Sequence, residues 1–557
     1  MYPVALGWPQ RSWAHLHATM SKSKLMPAIG SEDRAPLESQ GRKQLIAFVI
    51  VGCLLIPFYR YELGPDGISY LSIARLYANG FWHEAVNAYW GPLYSWILAA
   101  LLALHVPGIL ATRVVGLAAG AVALHALSRL SKQLPMAPLL QQIFLWVSTL
   151  TLLAFAVLSN TPDLLFTALL LLYTSIIFDR AYPFANAGAL CGILGALCFY
   201  SKSYGFPFFL THFCVFNLIV WMRSDKIGRN RVARQFASGL ASFFILSSGW
   251  ILALHASYGG WMLSTTGEFN HRLVGPQSAG YPHLRGLLPV PNEHTSSAWQ
   301  DPSPAALPSW NIQAAPAHEL KLVIGNAKQI VKFSAFQSVL FPVFLVGYVI
   351  LCVTAAKERW EWIYPVLTIC LFTGGYLFLT VQDRYFWFAE LLMLLMAFRS
   401  IQLFLESQPL AVAPRAALIV IVVLSFAVGP LRVLRAQFRH DARLYSVAES
   451  IKASEKLHEP FASCENWAQS AYIAYVVQEP YDGLITAEPD ADKIARDLNP
   501  DFRSAPPSAP NVQAVRQALS AAHIKELLLW PDCPLDAASL GSIAGQFGEA
   551  RLIQITH

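Results

Sequence analysis

The chain has 557 residues, of which 55% are apolar and 13% charged, where a soluble globular protein carries roughly 25% charged residues. The formal net charge is +6, a small balance with no partner meaning until the basic residues are placed. These values exclude intrinsic disorder, a nucleic-acid-binding module and an ordinary cytosolic enzyme as the main content.

Residues 1–43 are polar, contain Pro and Ser and show no periodicity, which predicts a disordered cytoplasmic tail. A crossing helix needs about 20 mostly apolar residues, because hydrocarbon offers the backbone no hydrogen-bond partners. Eleven windows meet that need: 44–60, 111–129, 138–159, 163–179, 184–201, 204–222, 235–256, 334–354, 362–381, 385–404 and 416–432. Gly116/Gly120 and Gly188/Gly192 give small-residue spacings suited to close helix packing. A further apolar stretch, 92–107, is bracketed by Pro92 and Pro107. If it lies in the interface, the short inner loops hold Arg129, Lys132, Arg180, Arg223, Lys226, Arg229, Arg231, Arg234, Lys357, Arg359 and Arg415, and the short outer loops hold Lys202 and Arg384. If it crosses, the positive-inside bias inverts. The expected topology is therefore eleven spans, N-terminus inside and C-terminus outside.

Three expected parts lie beyond the membrane: a first outer loop at 61–110, a second at 257–333, and a C-terminal extracytoplasmic domain at 436–557. Together with the loops, 44–435 forms the expected membrane catalytic domain. In the C-terminal part, apolar runs at 461–464, 472–477, 524–530 and 551–555 alternate with helical patterns at 442–457, 490–498 and 511–522, predicting a small α/β domain. Six cysteines, Cys53, Cys191, Cys198, Cys214, Cys352 and Cys370, fall in spans. Cys464 and Cys533 fall in the outer domain, where an oxidising compartment permits a bridge. The absence of an N-x-[ST] sequon favours a bacterial inner membrane over a eukaryotic secretory route.

Two acids stand at helix starts on the expected outer face: Asp66 in GPDGISYL and Asp163 in TPDLLF. Each can serve as a cap or first-turn residue, favoured by the helix dipole. Together they make an acidic site, able to take a proton from an acceptor hydroxyl or to hold a divalent cation. Lys202 ends the fifth span, and Arg384, beside Tyr385, opens the tenth. Both can reach the interface by snorkelling, or neutralise a departing lipid phosphate. Glu390, about two turns below Arg384, is either a buried partner for a cation or an interfacial acid. The second outer loop supplies Glu268, His271, Arg272, Glu293, His294, Trp299 and Asp301 as acid, base and stacking groups for a sugar. The aromatic residues Phe81, Trp82, Tyr89, Trp90, Tyr94 and Trp96 are read as an interfacial belt.

The run GPDGISYLSIARLYANGFWHEAVNAYWGPLYSW resembles the first outer loop of the GT-C superfamily of lipid-sugar-dependent membrane glycosyltransferases, in the branch of protein O-mannosyltransferases and the lipid A aminoarabinose transferase. Asp66, Tyr70, Gly80 and Pro92-Leu93-Tyr94 match in order; Asp163, Ser201-Lys202 and Arg384-Tyr385 are similar to later positions of that branch. The acidic pair and inserted repeat domain of the protein mannosyltransferases proper are missing: Asp66 is followed by Gly67. The resemblance implies a GT-C-type α-helical membrane fold and transfer of a sugar from a polyprenyl-phosphate donor to a glycolipid, polysaccharide or protein of the envelope, by single displacement with inversion. It implies Asp66 as base, Asp163 as orienting group, and Lys202 and Arg384 on the leaving phosphate; Tyr70, Tyr385, Glu268, His271 and His294 complete the expected substrate-binding set. Metal use is left open, with Asp66 and Asp163 as its ligands if there is one. The alternatives are a transporter or flippase, or a polymerase or ligase, of lipid-linked saccharides.

Overall fold

Among the described residues four α-helices begin on a proline, at Pro65, Pro92, Pro138 and Pro316, where the fixed φ suits a first turn and no hydrogen bond is lost with the missing N–H. The fold is that of a computed structural model, which describes residues 41–555 apart from 291, 293, 339, 342–343, 345, 349, 351–358, 409 and 505–510. The expected tail thus lies almost wholly outside the described residues, as do Glu293, Cys352, Lys357 and much of the window 334–354.

In chain order the membrane body comprises α1 (Arg42–Tyr59), α2 (Pro65–Ala78), α3 (Pro92–Ala103), α4 (Gly108–Gln133), α5 (Pro138–Leu158), α6 (Asp163–Ile177), α7 (Gly188–Ser201), α8 (Gly205–Arg223), α9 (Lys226–Tyr258), α10 (Thr266–Leu273), α11 (Pro316–Gln337), α12 (Arg359–Tyr376), α13 (Trp387–Ser407) and α14 (Val412–Ala436). Among the described residues seven helices are long and apolar enough to cross a membrane, and they coincide with seven of the eleven expected windows. Three more windows hold shorter apolar helices: Asp163–Ile177, Gly188–Ser201 and Ile363–Tyr376. At 1.5 Å per residue the first two reach only about 20 Å, and all three have an end where a large cavity opens, at Asp163, Lys202 and Tyr376. The ambiguous stretch 92–107 yields α3, twelve residues long and too short to span about 30 Å of hydrocarbon. The second outer loop contains helix as well as irregular chain, since α10 and α11 both form within 257–337.

Glycine spacing sets one of the closest helix contacts. An ideal Cβ on Gly192 of α7 lies 2.9 Å from the carbonyl carbon of Gly239 and 3.0 Å from the backbone nitrogen of Phe243, both on α9. Backbone cannot yield as a flexible side chain does. Gly192→Val is therefore expected to cost about 1–3 kcal/mol by overpacking, read as a lower thermal midpoint in detergent. Gly249→Ala, whose Cβ meets nothing closer than 3.9 Å, leaves that midpoint unchanged.

The C-terminal part contains α15 (Ala442–Ser454), β1 (Phe461–Cys464), α16 (Trp467–Val477), β2 (Tyr481–Leu484), α17 (Ala491–Leu498), α18 (Val512–Ala521), β3 (Glu526–Leu529), β4 (Gly541–Phe547) and β5 (Ala550–Ile555). The five strands order as β2-β1-β3-β5-β4; β1 runs parallel to β2 and β3, and β5 antiparallel to β3 and β4. The expected strand at 472–477 is instead the second half of α16. Its run YIAYVV has β-forming composition, but it is buried on almost every side, and a helix apolar all round shows no period to distinguish it from a buried strand. β2 and β4 were not anticipated. Cys464 and Cys533 form a disulfide.

This domain is tied to α2. Arg75 donates two hydrogen bonds to the Tyr475 carbonyl, both 3.1 Å, and stacks over the Tyr475 ring at 3.9 Å. Tyr472 donates to the Tyr61 carbonyl at 2.7 Å. The second outer loop bridges β2 through Leu287 with Gly483 and Ser297 with Tyr481. Gly483 takes φ 98°, and a Cβ there would meet the Gly286 carbonyl at 2.8 Å, so both the backbone turn and the close approach require glycine.

Candidate active site

Asp66 occupies the second position of α2, after Gly64 and Pro65, and no side chain caps that helix. Nine-residue burial from Gly67 through Leu76, broken only at Arg75, fixes the helix and leaves its first turn to project its acid. One Asp66 oxygen accepts from Trp299 Nε1 at 2.8 Å, and the other pairs with Arg384 Nη2. Asp163 opens α6 and is 4% exposed. Its oxygens accept from Thr161 Oγ1 and Lys202 Nζ, each at 2.6 Å. Arg384 Nε approaches the same carboxylate at 3.5 Å. Capping is thus not the use made of either acid: dipoles favour their charge, but the bonds run outward to other elements.

The result is a chain of alternating charge, Asp66–Arg384–Asp163–Lys202, drawn from α2, the turn Asp383–Phe386, α6 and the end of α7. Tyr385 sits beside it, its ring 3.8 Å from Lys202 Nζ. All five residues, with Tyr70, line a cavity of about 1020 Å³. Burial pushes the Tyr70 phenol well above its ordinary range, and Asp163 and Asp66 act in the same direction, so it remains a neutral hydroxyl. The cavity also takes in Asp383, whose Oδ1 is buried without a hydrogen-bond partner.

The fit to a divalent metal is poor. Among the described residues no group of three or more His, Cys, Asp or Glu gathers as ligands. The guanidinium of Arg384 stands between the two carboxylates, where a cation shared by Asp66 and Asp163 would have to lie.

Six expected residues, Asp66, Tyr70, Asp163, Lys202, Arg384 and Tyr385, therefore meet in one place, although they span more than 300 positions of sequence. Three do not join them. Glu268 has a side chain 63% exposed and pairs with Arg272 on the same helix. His271 stacks on Trp310 with ring centres 4.4 Å apart, and His294 stacks on Phe81 at 4.4 Å. Glu390 is buried with both oxygens unpartnered, against a small void with Thr151, Phe341 and Phe426; it has no ion-pair partner among the described residues.

Other cavity residues were missed. Tyr89 and Trp90, read as an interfacial belt, line it, as do Tyr281, His283 and Trp467. His283 lies between Trp299 and Trp467, at 4.4 and 4.2 Å between ring centres. Burial pushes its imidazole down to about 3, which keeps it neutral. No local signal marked these residues, because two loops and the C-terminal domain bring them together only in the fold.

A helical membrane body, long loops gathered over a buried charged cavity and a small C-terminal α/β domain make up the fold. Among solved structures, the chain is similar to ArnT from Cupriavidus metallidurans bound to undecaprenyl phosphate, with a TM-score of 0.54 and 14% identity over 91% of this chain and 97% of that one. It is also similar to the apo state of the same protein, with a TM-score of 0.51 and 14% identity over 92% and 98%. No family model and no curated protein matches the sequence.

Proposed function

We propose that this chain is a membrane glycosyltransferase that moves a sugar from a polyprenyl-phosphate donor to a hydroxyl of an envelope glycolipid, polysaccharide or protein. The observation that carries this reading is the Asp66–Arg384–Asp163–Lys202 chain lining a cavity of about 1020 Å³. The fold shared with a protein solved with undecaprenyl phosphate bound supports the choice of donor. The cavity faces the extracytoplasmic side, with the N-terminus in the cytoplasm, in keeping with the distribution of basic residues.

The acceptor oxygen attacks the anomeric carbon, the bond from that carbon to the phosphate oxygen breaks with inversion, and the acceptor proton passes to Asp66. The phosphate leaves beside Arg384 and Lys202, whose charges are in place before negative charge develops on it. Without donor, Arg384 is held by Asp66; an arriving phosphate competes for the guanidinium and frees a carboxylate oxygen for the proton. Asp163 keeps Lys202 and Arg384 aligned.

Asp66→Asn preserves shape and removes the base. In vesicles supplied with a polyprenyl-phosphate sugar, transfer is expected to fall by roughly 10²–10⁴-fold, the span of general-base catalysis. Undiminished transfer would reject Asp66 as the base.

A further inference from the structure

The cavity that holds Asp66 has two unlike halves. Among the described lining residues every charge, at Asp66, Asp163, Lys202, Asp383 and Arg384, comes from α2, α6, the end of α7 and the turn that leads into α13. The second outer loop and the C-terminal domain contribute none, since burial keeps His283 neutral. Their half is aromatic, and Trp90 of the first outer loop adds to it. Trp299, which donates to Asp66, has Trp90 and Tyr281 nearly at right angles to it, with ring centres 6.0 and 5.5 Å away. Both are half-buried, and among the described residues neither has a ring stacked in parallel on its face. Two nearby donors are already committed: Trp90 Nε1 to the Trp299 carbonyl at 3.3 Å, and Asn270 Nδ2 to the Thr266 carbonyl at 2.8 Å.

An acceptor oxygen that passes its proton to Asp66 must lie beside this aromatic half. The ion chain is already balanced, two carboxylates against two cations, and the donor phosphate adds a negative charge. A further anion at the reacting end of the acceptor finds no cation left to meet it. Like charges about 6 Å apart at an effective dielectric constant of about 20 repel enough to cost roughly a hundredfold in binding. An extended peptide brings one N–H and one C=O per residue that need partners, and ring faces supply none. A sugar ring has a face of C–H groups that suits the negative face of an aromatic ring, with hydroxyls at its edge for Asp66. We propose that the acceptor group is a hydroxyl of an uncharged sugar, at the end of a glycolipid or polysaccharide, stacked on Trp90 and Tyr281. The inference rests on the transferase reading and names the substrate class of the same site.

The test uses the full chain in vesicles with glucosyl, galactosyl and mannosyl undecaprenyl phosphate, and measures released undecaprenyl phosphate separately from labelled product. The acceptors are a diacylglycerol disaccharide, the same lipid phosphorylated on its terminal sugar, the soluble disaccharide and a peptide rich in Ser and Thr. The uncharged lipid is expected to exceed its phosphorylated form in kcat/KM by roughly a hundredfold, with no transfer to the peptide. Preference for the lipid-borne over the soluble disaccharide assigns the sugar to a glycolipid, and the reverse to a polysaccharide. Tyr281→Ala should raise acceptor KM by roughly tenfold, the worth of one aromatic contact, with donor KM unchanged, and Tyr281→Phe should restore it. Donor consumption with equal use of the phosphorylated lipid, with transfer to the peptide, or with acceptor KM unmoved in Tyr281→Ala overturns the inference and leaves the transferase reading standing. No consumption of any donor with any acceptor overturns both.

Discussion

Arg384→Gln is expected to lower sugar transfer by roughly a thousandfold or more while leaving the protein folded. One well-placed donor to developing charge is worth about 10²–10³ in rate, and Arg384 does more than donate to a phosphate. It contacts Asp66 and Asp163 together, so the variant leaves Lys202, among the described residues, to face two carboxylates without the guanidinium. Those carboxylates then repel the arriving phosphate as well as each other. Arg384→Lys should recover little, because an ammonium is a point charge and cannot engage two carboxylates through separate edges of one plane. The comparison is made by single-turnover transfer in vesicles, with binding of unglycosylated polyprenyl phosphate measured alongside. Loss of rate exceeding loss of carrier binding places the effect in the displacement step; rates within fivefold of the native protein would remove Arg384 from the chemistry.

The second large effect concerns stability. Cys464 ends β1, Cys533 follows β3, and these neighbouring strands are bridged across 69 positions of sequence. Closing a loop of that length removes chain entropy worth about 4 kcal/mol from the unfolded state. A Cys464→Ser/Cys533→Ser protein should lose about that much in its C-terminal domain, seen as proteolytic cleavage of the domain at markedly lower urea. Trp467 lies three residues past Cys464 and lines the cavity. The same variant therefore loosens one wall of the site, and a rise in donor KM with nearly constant kcat is expected. Unchanged protease resistance would show that packing alone holds the domain.

What could be read from the sequence follows from how local each signal is. Ten of the eleven windows contain a described apolar helix or part of one, because lack of backbone partners in hydrocarbon leaves a long unbroken imprint. Asp66, Asp163, Lys202 and Arg384 were legible because charge is rare in such sequence, so each charged residue at a helix end stands out. Trp299 was noticed only as one of several groups in its loop, and its bond to Asp66 depends on a contact between residues 233 positions apart. His283 and Trp467 had no such marking. Glu268, His271 and His294 have equally suitable chemistry but are turned toward Arg272, Trp310 and Phe81; the i,i+4 spacing of Glu268 and Arg272 foretells the first of these contacts, and nothing in the local sequence foretells the other two. The misread of 472–477 has the same origin: an element enclosed by others carries no solvent-facing stripe.

The attachment of Arg75 and Tyr61 to α16 sets a limit on how small a working version of this protein can be made. A chain stopped after α14 would strip the cover from the helix that presents Asp66, leave the Arg75 guanidinium without its carbonyl and aromatic face, and unroof the side of the chamber that Trp467 closes. Such a truncation is better regarded as a damaged whole than as an isolated transferase module, and chimeras that exchange C-terminal portions between related chains must carry a matching first loop with them.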